Sequence, residues 1–256
     1  GVLRADRRGG AAMSALLRGE LLKLRTTRTF LTLVGAAMAL SLLVVVLTGL
    51  LVKNFDHHDV RDLFTGDFTG LFILLLGVMG MAGEWRHRTI TSSVLAAPDR
   101  LRLLAAKLIS YVVAGAVLSL VVTLSIIVVG SVILSARSQP GADISTLLDI
   151  LWRNLVTAAY FGALGVCLGA LLRNQVVAIV GVLIFSFAVE PTLFGLVPSV
   201  GKFSPIGGAP SGLVGTDFNG NSSDLLAPGI AALVMVGWLA VLFAGAAALL
   251  RGRDLT

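Results

Sequence analysis

The sequence predicts an all-α integral membrane protein with six transmembrane helices. Hydrophobic residues make up 56% of its 256 residues, and the mean hydropathy is +0.94. Charged residues make up only 13%, about half of the roughly 25% found in soluble domains. Several apolar segments reach the roughly 20 residues that a helix needs to cross a bilayer. A closed β-barrel would instead show alternating segments of about ten residues, unlike the run LSLLVVVLTGLLV.

Six apolar segments are separated by charged or turn-forming interruptions. The expected spans are residues 30–52, 64–83, 105–134, 147–172, 176–197 and 226–250. Only Arg173, Asn174 and Gln175 join the fourth and fifth spans, which predicts a tight helical hairpin. No sequence repeat relates the two halves, unlike secondary transporters that are built from internal repeats. We therefore expect one transmembrane domain over residues 14–256, preceded by a disordered leader over residues 1–13.

The basic residues predict the orientation, because cytoplasmic loops of membrane proteins are enriched in lysine and arginine. With both termini in the cytoplasm, 15 of the 20 Lys and Arg residues fall on the inner side, and nine of the 14 acids fall on the outer side. Membrane topology and contact with anionic lipid therefore account for the net charge of +6. Nucleic-acid binding is not predicted. The expected location is the inner (plasma) membrane, with both termini cytoplasmic.

A short helix is predicted before the first span. It begins near Ser14, a residue type that caps helices, and the stretch ALLRGELLKLRTT places Leu17, Leu21 and Leu24 on one face. Two interpretations remain open: a helix lying in the inner interface, or an inward extension of the first span. The polar residues singled out in this helix are Glu20, Lys23 and Arg25.

A charged stretch, GEWRHRTITSSVLAAPDRLRLLAAK, lies at residues 83–107 between the second and third spans. Pro98 breaks a helix and Asp99 can cap the next one, while Ile90 and Val94 share one helical face. This pattern predicts a short amphipathic helix that contacts another protein. The alternative is an ordinary positively charged loop, which explains the arginines but not the helical periodicity.

These two stretches resemble the type-2 exporter permeases of the ATP-binding-cassette (ABC) transporters. After the second span, members typically carry Glu, a basic pair, Gly-Thr, a short helix, Pro, a second basic pair and Leu-Ala-Lys-Leu. Arg88 stands where the family usually has glycine, and the six-span layout matches from Met13 onward. The positions that match this pattern are Glu84, Arg86, Thr89, Pro98, Arg100, Arg102, Ala106, Lys107 and Leu108.

The resemblance implies the permease subunit of an ATP-driven exporter. Two such chains, identical or related, would form the route together with two separate nucleotide-binding ATPase subunits. The family implies an interfacial elbow helix over residues 14–27, a coupling helix over 85–97 that contacts the ATPase, and short re-entrant helices within 198–227. For that last segment the alternative is a disordered loop. The residues expected to couple to the ATPase are Glu84, Trp85, Arg86, Arg88, Thr89, Ile90 and Val94.

We do not expect the chain to be an enzyme or to bind a cofactor or metal. The string LVPSVGKF at residues 196–203 lacks the first glycine and the final hydroxyl residue of a phosphate-binding loop. ATP and Mg²⁺ are therefore expected on the partner subunit. The stretch DHHD at residues 56–59 predicts a solvated loop rather than a zinc site. An intramembrane serine protease is excluded, because the three histidines all fall outside the predicted spans.

Polar residues within the spans are candidates for a transport pathway, because ionisable groups at membrane depth are functional candidates by default. Asp67 is near the outer end of the second span, and Glu190 lies about 14 residues into the fifth. Because proline disfavours helix at the residue before it, Pro191 allows a second interpretation, in which the helix stops and Glu190 sits at a wet edge. Three hydroxyl residues complete the candidate set: Ser41, Thr48 and Ser186.

The polar residues within the spans also suggest a class of cargo. Mild polarity on apolar helices suits an amphipathic small molecule, such as a drug or a lipid-like compound. The alternative function is a stand-alone ion-coupled carrier, which buried charges along several spans would favour.

Overall fold

The computed structural model describes residues 17–24, 26–52, 55, 57–86, 100–172, 174–216 and 225–251, and over these residues the chain contains helices and no strands. Within these residues, six helical segments are long and apolar enough to cross a membrane, as the sequence predicts. The first helix, α1, covers residues 17–24. The others are α2 (Arg28–Leu51), α3 (His57–Thr65), α4 (Thr69–Arg86), α5 (Arg100–Ala136), α6 (Ile144–Leu172), α7 (Gln175–Ile184), α8 (Glu190–Leu196), α9 (Pro198–Gly201), α10 (Gly208–Val214) and α11 (Pro228–Arg251).

A backbone break separates α1 from the first span. Thr27 has extended dihedral angles, φ −82° and ψ 125°, and α2 begins at the next residue. The hydroxyls of Thr26 and Thr27 donate to the carbonyls of Leu22 and Lys23, so they bind carbonyls that the end of a helix leaves without partners. Because of this break, α1 is a separate helix and not a direct continuation of the first span.

Helix α6 lies at the centre of the bundle and packs closely on both α4 and α5. A Cβ atom built on Gly165 would lie 2.3 Å from the Leu74 carbonyl oxygen, and one on Gly162 would lie 2.3 Å from that of Tyr111. Real Cβ atoms essentially never come this close, so only glycine fits at these two positions. These two glycines therefore serve close helix packing within one chain.

The second span consists of two helices rather than one. The stretch DHHD was expected to be a loop, but its residues 57–59 begin helix α3. That expectation is wrong because α3 has an apolar face: Val60, Leu63 and Phe64 are spaced as on one side of a helix and are all buried. The chain then breaks at residues 66–68 and resumes as α4.

The fifth span continues past Glu190, as the predicted span does, so the alternative in which the helix stops there is wrong. A π-helical turn, Phe185–Val189, joins α7 to α8, and the Glu190 amide bonds to the carbonyl of Phe185. Pro191 lies at the start of α8, where a missing N–H costs little because first-turn amides have no intrahelical partner. The π-helical turn thus accommodates Pro191 within the span, and the span does not end there.

Two short helices, α9 and α10, follow the fifth span. All seven residues of α10 are buried, and this helix contacts α6 and α11. Residues 198–216 are therefore not the disordered loop that was the alternative, and the short helices expected here are present. Residues 217–224 lie outside the part of the chain that the structure describes.

Candidate functional site

A cavity of about 300 Å³ lies within the bundle, between α4, α6, the fifth span and α10. Three of the five pathway candidates, Asp67, Ser186 and Glu190, line it together. Its aromatic walls are the rings of Phe68, Phe161, Phe187 and Phe194. The other polar residues of its lining are Thr65, Asn154, Thr157, Ser211 and Thr216.

Asp67 is held at the break between α3 and α4. Its Oδ1 accepts a hydrogen bond from the Thr69 amide at 2.8 Å, which caps the start of α4. Its Oδ2 accepts from the hydroxyls of Ser119 at 2.6 Å and Thr123 at 3.0 Å. Asn154 Nδ2 donates to Thr123 Oγ1 at 3.2 Å. This network joins α4, α5 and α6 through neutral donors and fixes the orientation of the carboxyl group.

Glu190 is buried, so the alternative that places it at a wet edge is wrong. The residue is 3% exposed, and its Oε1 accepts from the Ile206 amide at 2.9 Å. The connection between α9 and α10 lies against Glu190 through Ile206 and Gly207, and Tyr160 donates to the Pro205 carbonyl of this connection at 2.8 Å. A Cβ atom on Gly207 would lie 2.9 Å from Glu190 Oε2, so a larger residue there would force the end of the Glu190 side chain to shift.

Two hydroxyl groups of the lining have no partner among the described residues. Thr157 Oγ1 and Ser186 Oγ are both buried without a hydrogen bond, and Thr157 is only 9% exposed. Leaving a buried hydroxyl unpaired costs free energy, and such exceptions in a native fold call for an explanation. The cavity therefore offers hydrogen-bonding capacity that the fold itself does not use.

An ionic cluster holds the end of α10 at the rim of the cavity. Asp149 accepts from Arg61 at 3.1 Å and from Arg153 at 2.8 Å. Arg153 also donates to the Leu213 carbonyl at 2.8 Å, and Arg61 to that of Val214 at 3.4 Å. Cations are favourable at the C-terminal end of a helix, so the two arginines fasten α10 to α3 and α6. From the sequence, these two arginines contributed only to the count of basic residues, and their contacts with α10 were not predicted.

A buried ion pair joins α1 to α5. Lys107 Nζ lies 2.8 Å from Glu20 Oε2, and the two side chains are 2% and 7% exposed. Lys23, which is 60% exposed, reaches the other oxygen of Glu20 at 2.9 Å. Burial opposes the charge on Glu20, but Lys107 and then Lys23 outweigh it and hold the pKa of this carboxyl below its usual value. Two segments that the sequence highlighted separately are therefore in direct contact.

Comparison with known families identifies the chain. A family model described as "ABC-2 family transporter protein" matches residues 16–189. The chain belongs to the ABC-2 family. The matched region runs from α1 to the π-helical turn, so Asp67 and Lys107 lie within it, whereas Glu190 lies just beyond it. The ABC-2 proteins are typically non-catalytic membrane subunits. No curated protein matches the chain.

Most of the predicted coupling residues of this ABC-2 chain lie outside the described residues, as does Arg25 of the predicted elbow helix. Those coupling residues are Arg88, Thr89, Ile90 and Val94. The backbones of Glu84, Trp85 and Arg86 form the last turn of α4. In the part of the chain that the structure describes, no group of three His, Cys, Asp or Glu residues could hold a metal ion.

The remaining two pathway candidates of the ABC-2 chain do not line the cavity. Ser41 is fully buried, and its Oγ accepts from the Phe68 amide at 3.0 Å, so it satisfies a backbone donor at the break before α4. Thr48 is partly exposed on α2. Sequence reasoning missed Ser119 and Asn154; Ser119 lies four residues before Thr123, the spacing that places two hydroxyls on one helical face.

Proposed function

We propose that this ABC-2 chain is the permease subunit of an ATP-driven exporter for amphipathic small molecules, such as drugs or lipid-like compounds. Two permease chains, identical or related, would assemble with two ATP-binding-cassette ATPase subunits, which bind ATP and Mg²⁺. The observation that carries this proposal is the cavity within the six-span bundle. Its walls combine aromatic rings with a few fixed polar groups, the usual composition of a small-molecule site.

The region around α1 supports coupling to an ATPase. In the proposal, residues 85–97 form the coupling helix and residues 14–27 the interfacial elbow. The Glu20–Lys107 pair lies close in sequence to both, since Lys107 is eight residues beyond Asp99. A force on the segment between α4 and α5 would therefore reach α1 as well as the third span.

The orientation is part of the proposal: both termini and residues 84–104 face the cytoplasm of a cell with this protein in its inner membrane, and α9 and α10 form a re-entrant segment on the outer side. The burial of α10 against α6 and α11 supports a re-entrant segment. Cysteine labelling tests the orientation in a Cys167→Ala background, with Ser138→Cys in the exposed turn after α5 and Ser92→Cys in the coupling segment. An impermeant reagent added outside should label position 138 only. Labelling at position 92 would show that the proposed orientation is wrong.

Coupling is tested by three substitutions within residues 85–97. We expect Ile90→Asp to uncouple the complex, because a buried anchor of this size contributes roughly 1.5 to 3 kcal/mol. Arg88→Ala should have a smaller effect, since exposed charges contribute about 1 kcal/mol or less. Ser92→Asp introduces the same charge on the polar face and serves as the matched control. The measurements are co-purification of ATPase activity from native membranes and substrate efflux in the reconstituted complex. Wild-type values for Ile90→Asp would remove the coupling helix from the proposal.

One observation favours the alternative, a stand-alone ion-coupled carrier. Asp67 and Glu190 both line the cavity, and the hydrogen bonds found for them come from neutral donors, an arrangement that also suits an ion-binding site. Proteoliposomes holding the permease chain alone separate the two functions. Efflux driven by an ion gradient without ATPase subunits would support the carrier, whereas efflux that needs both ATP and the ATPase supports the exporter.

A further inference from the structure

We propose that the cavity selects positively charged cargo, namely amphipathic molecules that carry an ammonium group on an aromatic or otherwise apolar body. This inference rests on the proposed function and specifies its substrate class. It follows from the charge balance of the lining, from two unpaired hydroxyl groups and from the aromatic walls.

The titratable side chains found in the cavity lining are both acids. Asp67 and Glu190 line it, and no Lys, Arg or His is found among the described residues of the lining. The nearby arginines of the rim cluster are engaged with Asp149 and with the carbonyls at the end of α10. A cation that enters the cavity therefore meets two carboxyl groups that are held in place by neutral donors.

The unpaired hydroxyls can form hydrogen bonds with a ligand, including one that donates. Thr157 Oγ1 and Ser186 Oγ line the same cavity and have no partner in the described structure, and Thr157 is more than nine-tenths buried. A hydroxyl oxygen accepts hydrogen bonds through two lone pairs, whereas an ammonium group donates and cannot accept. An ammonium group has three N–H donors for the hydroxyl and carboxyl oxygens that line this cavity.

The apolar part of the cargo is matched by the rest of the lining. Four phenylalanine rings line the cavity: one from the break before α4, one from α6 and two from the fifth span. Aromatic faces attract cations in addition to packing against apolar groups. A bare inorganic cation would leave these rings without contacts, so the lining fits an organic cation of drug size better than a metal ion.

The test compares two probes that differ in charge. Dansylcadaverine is a naphthalene fluorophore with a primary ammonium group, and its N-acetyl derivative is neutral. Binding of each to the full chain in lipid nanodiscs is followed by fluorescence, with empty nanodiscs as the baseline for lipid partitioning. We expect the ammonium probe to bind about tenfold more tightly than the neutral one, because a hydrogen bond to a charged group is stronger than one to a neutral group.

Two isosteric variants remove the charges. Asp67→Asn keeps an oxygen that accepts from the Thr69 amide, and its NH2 group would donate to the α5 hydroxyl oxygens, which donate to Asp67 in the wild type; Glu190→Gln keeps an oxygen for the Ile206 amide. Each should weaken binding of the ammonium probe about tenfold and leave the neutral probe unchanged. Asp143→Asn, the same change at an exposed acid outside the cavity, is the matched control.

The outcomes separate this inference from the proposed function. Equal affinity for the two probes, or a preference that survives both Asp67→Asn and Glu190→Gln, would overturn the inference even if an ATPase co-purifies with the chain. Charge-selective binding without any co-purifying ATPase would instead count against the exporter and leave the cation site in place. Each variant is first checked for wild-type elution and thermal unfolding, and Thr157→Val gives a third variant whose weaker ammonium binding supports the same site.

Discussion

Replacing Lys107 by methionine should destabilise the protein much more than the same replacement at Lys23. Both lysines contact Glu20, at 2.8 and 2.9 Å, but Lys107 is 2% exposed and Lys23 is 60% exposed. Breaking a buried ion pair costs about 3 to 5 kcal/mol, because the remaining charge stays in a low dielectric. An exposed pair contributes about 0 to 1 kcal/mol. Lys23 stays beside Glu20 in the first variant, so we expect the lower end of that range.

Thermal unfolding of the purified chain in detergent measures this difference. For a chain of this size, 1 kcal/mol corresponds to roughly 2 to 4 °C in Tm. Lys107→Met should therefore lower Tm by about 6 °C or more, and Lys23→Met by at most about 4 °C. The double variant Glu20→Leu with Lys107→Met should recover most of the loss, since no buried charge remains. Equal effects of the two lysine variants, or a double variant no better than Lys107→Met, would refute this account.

Acidification provides an independent check on the same pair. In the folded protein the pKa of Glu20 lies below its usual value of 4.5, so the pair contributes stability that is fully present above that value. The contribution is lost as the pH falls through the lowered pKa of the folded state. Wild-type protein should therefore exceed Glu20→Gln in Tm at pH 7, and this advantage should shrink only below about pH 4.5. A Tm difference between wild type and Glu20→Gln that stays constant down to strongly acidic pH would contradict this account of the ion pair.

Three further substitutions test the packing around the cavity by the same unfolding assay or by hydrogen exchange. Gly165→Ala should lower Tm by several degrees, because its Cβ would lie 2.3 Å from a carbonyl oxygen of α4. Gly35→Ala is the control: a Cβ there meets no atom within 4 Å, so this variant should be neutral or slightly stabilising. Equal Tm values for the two variants would refute the close contact at Gly165. Ser41→Ala removes the acceptor for the Phe68 amide and should cost about 1 to 3 kcal/mol, so an unchanged Tm would refute its role. Arg153→Met should speed hydrogen exchange in α10, since Arg153 donates to its Leu213 carbonyl, and unchanged protection would show that the rim cluster does not hold α10.

The spans could be predicted from the sequence because their signal is local. Length and apolarity set the six helices, and the tight hairpin after α6 follows from Asn174, whose side chain accepts from the amides of Val176 and Val177 and starts α7. Each of these features depends on residues within a few positions of one another. Asp67, Glu190 and Ser186 were also recognised as pathway candidates, because a polar group in an apolar helix stands out in the sequence.

The contacts of these residues could not be predicted, because their partners are distant in sequence. Glu20 and Lys107 are 87 residues apart, and Ser119 lies 52 residues from Asp67. A periodic pattern indicates which face of a helix is polar but not which other helix it meets. The alternative stop at Pro191 is wrong for a related reason: local preference disfavours helix before proline, and the π-helical turn that accommodates the proline is recognised only in the folded backbone.

Both irregular stretches of spanning backbone described above occur at the cavity. The second span breaks next to Asp67, where Ser41 and Asp67 bind the freed amides, and the fifth span widens into a π-helical turn next to Glu190. Within a membrane, backbone that departs from regular helix is tolerated only where protein or a cavity surrounds it, and π-helical turns occur frequently at functional sites. A regular helix at either position would remove the local geometry that holds one of the two carboxyls at the cavity. The irregular backbone and the polar side chains are thus two independent physical indications of the same site.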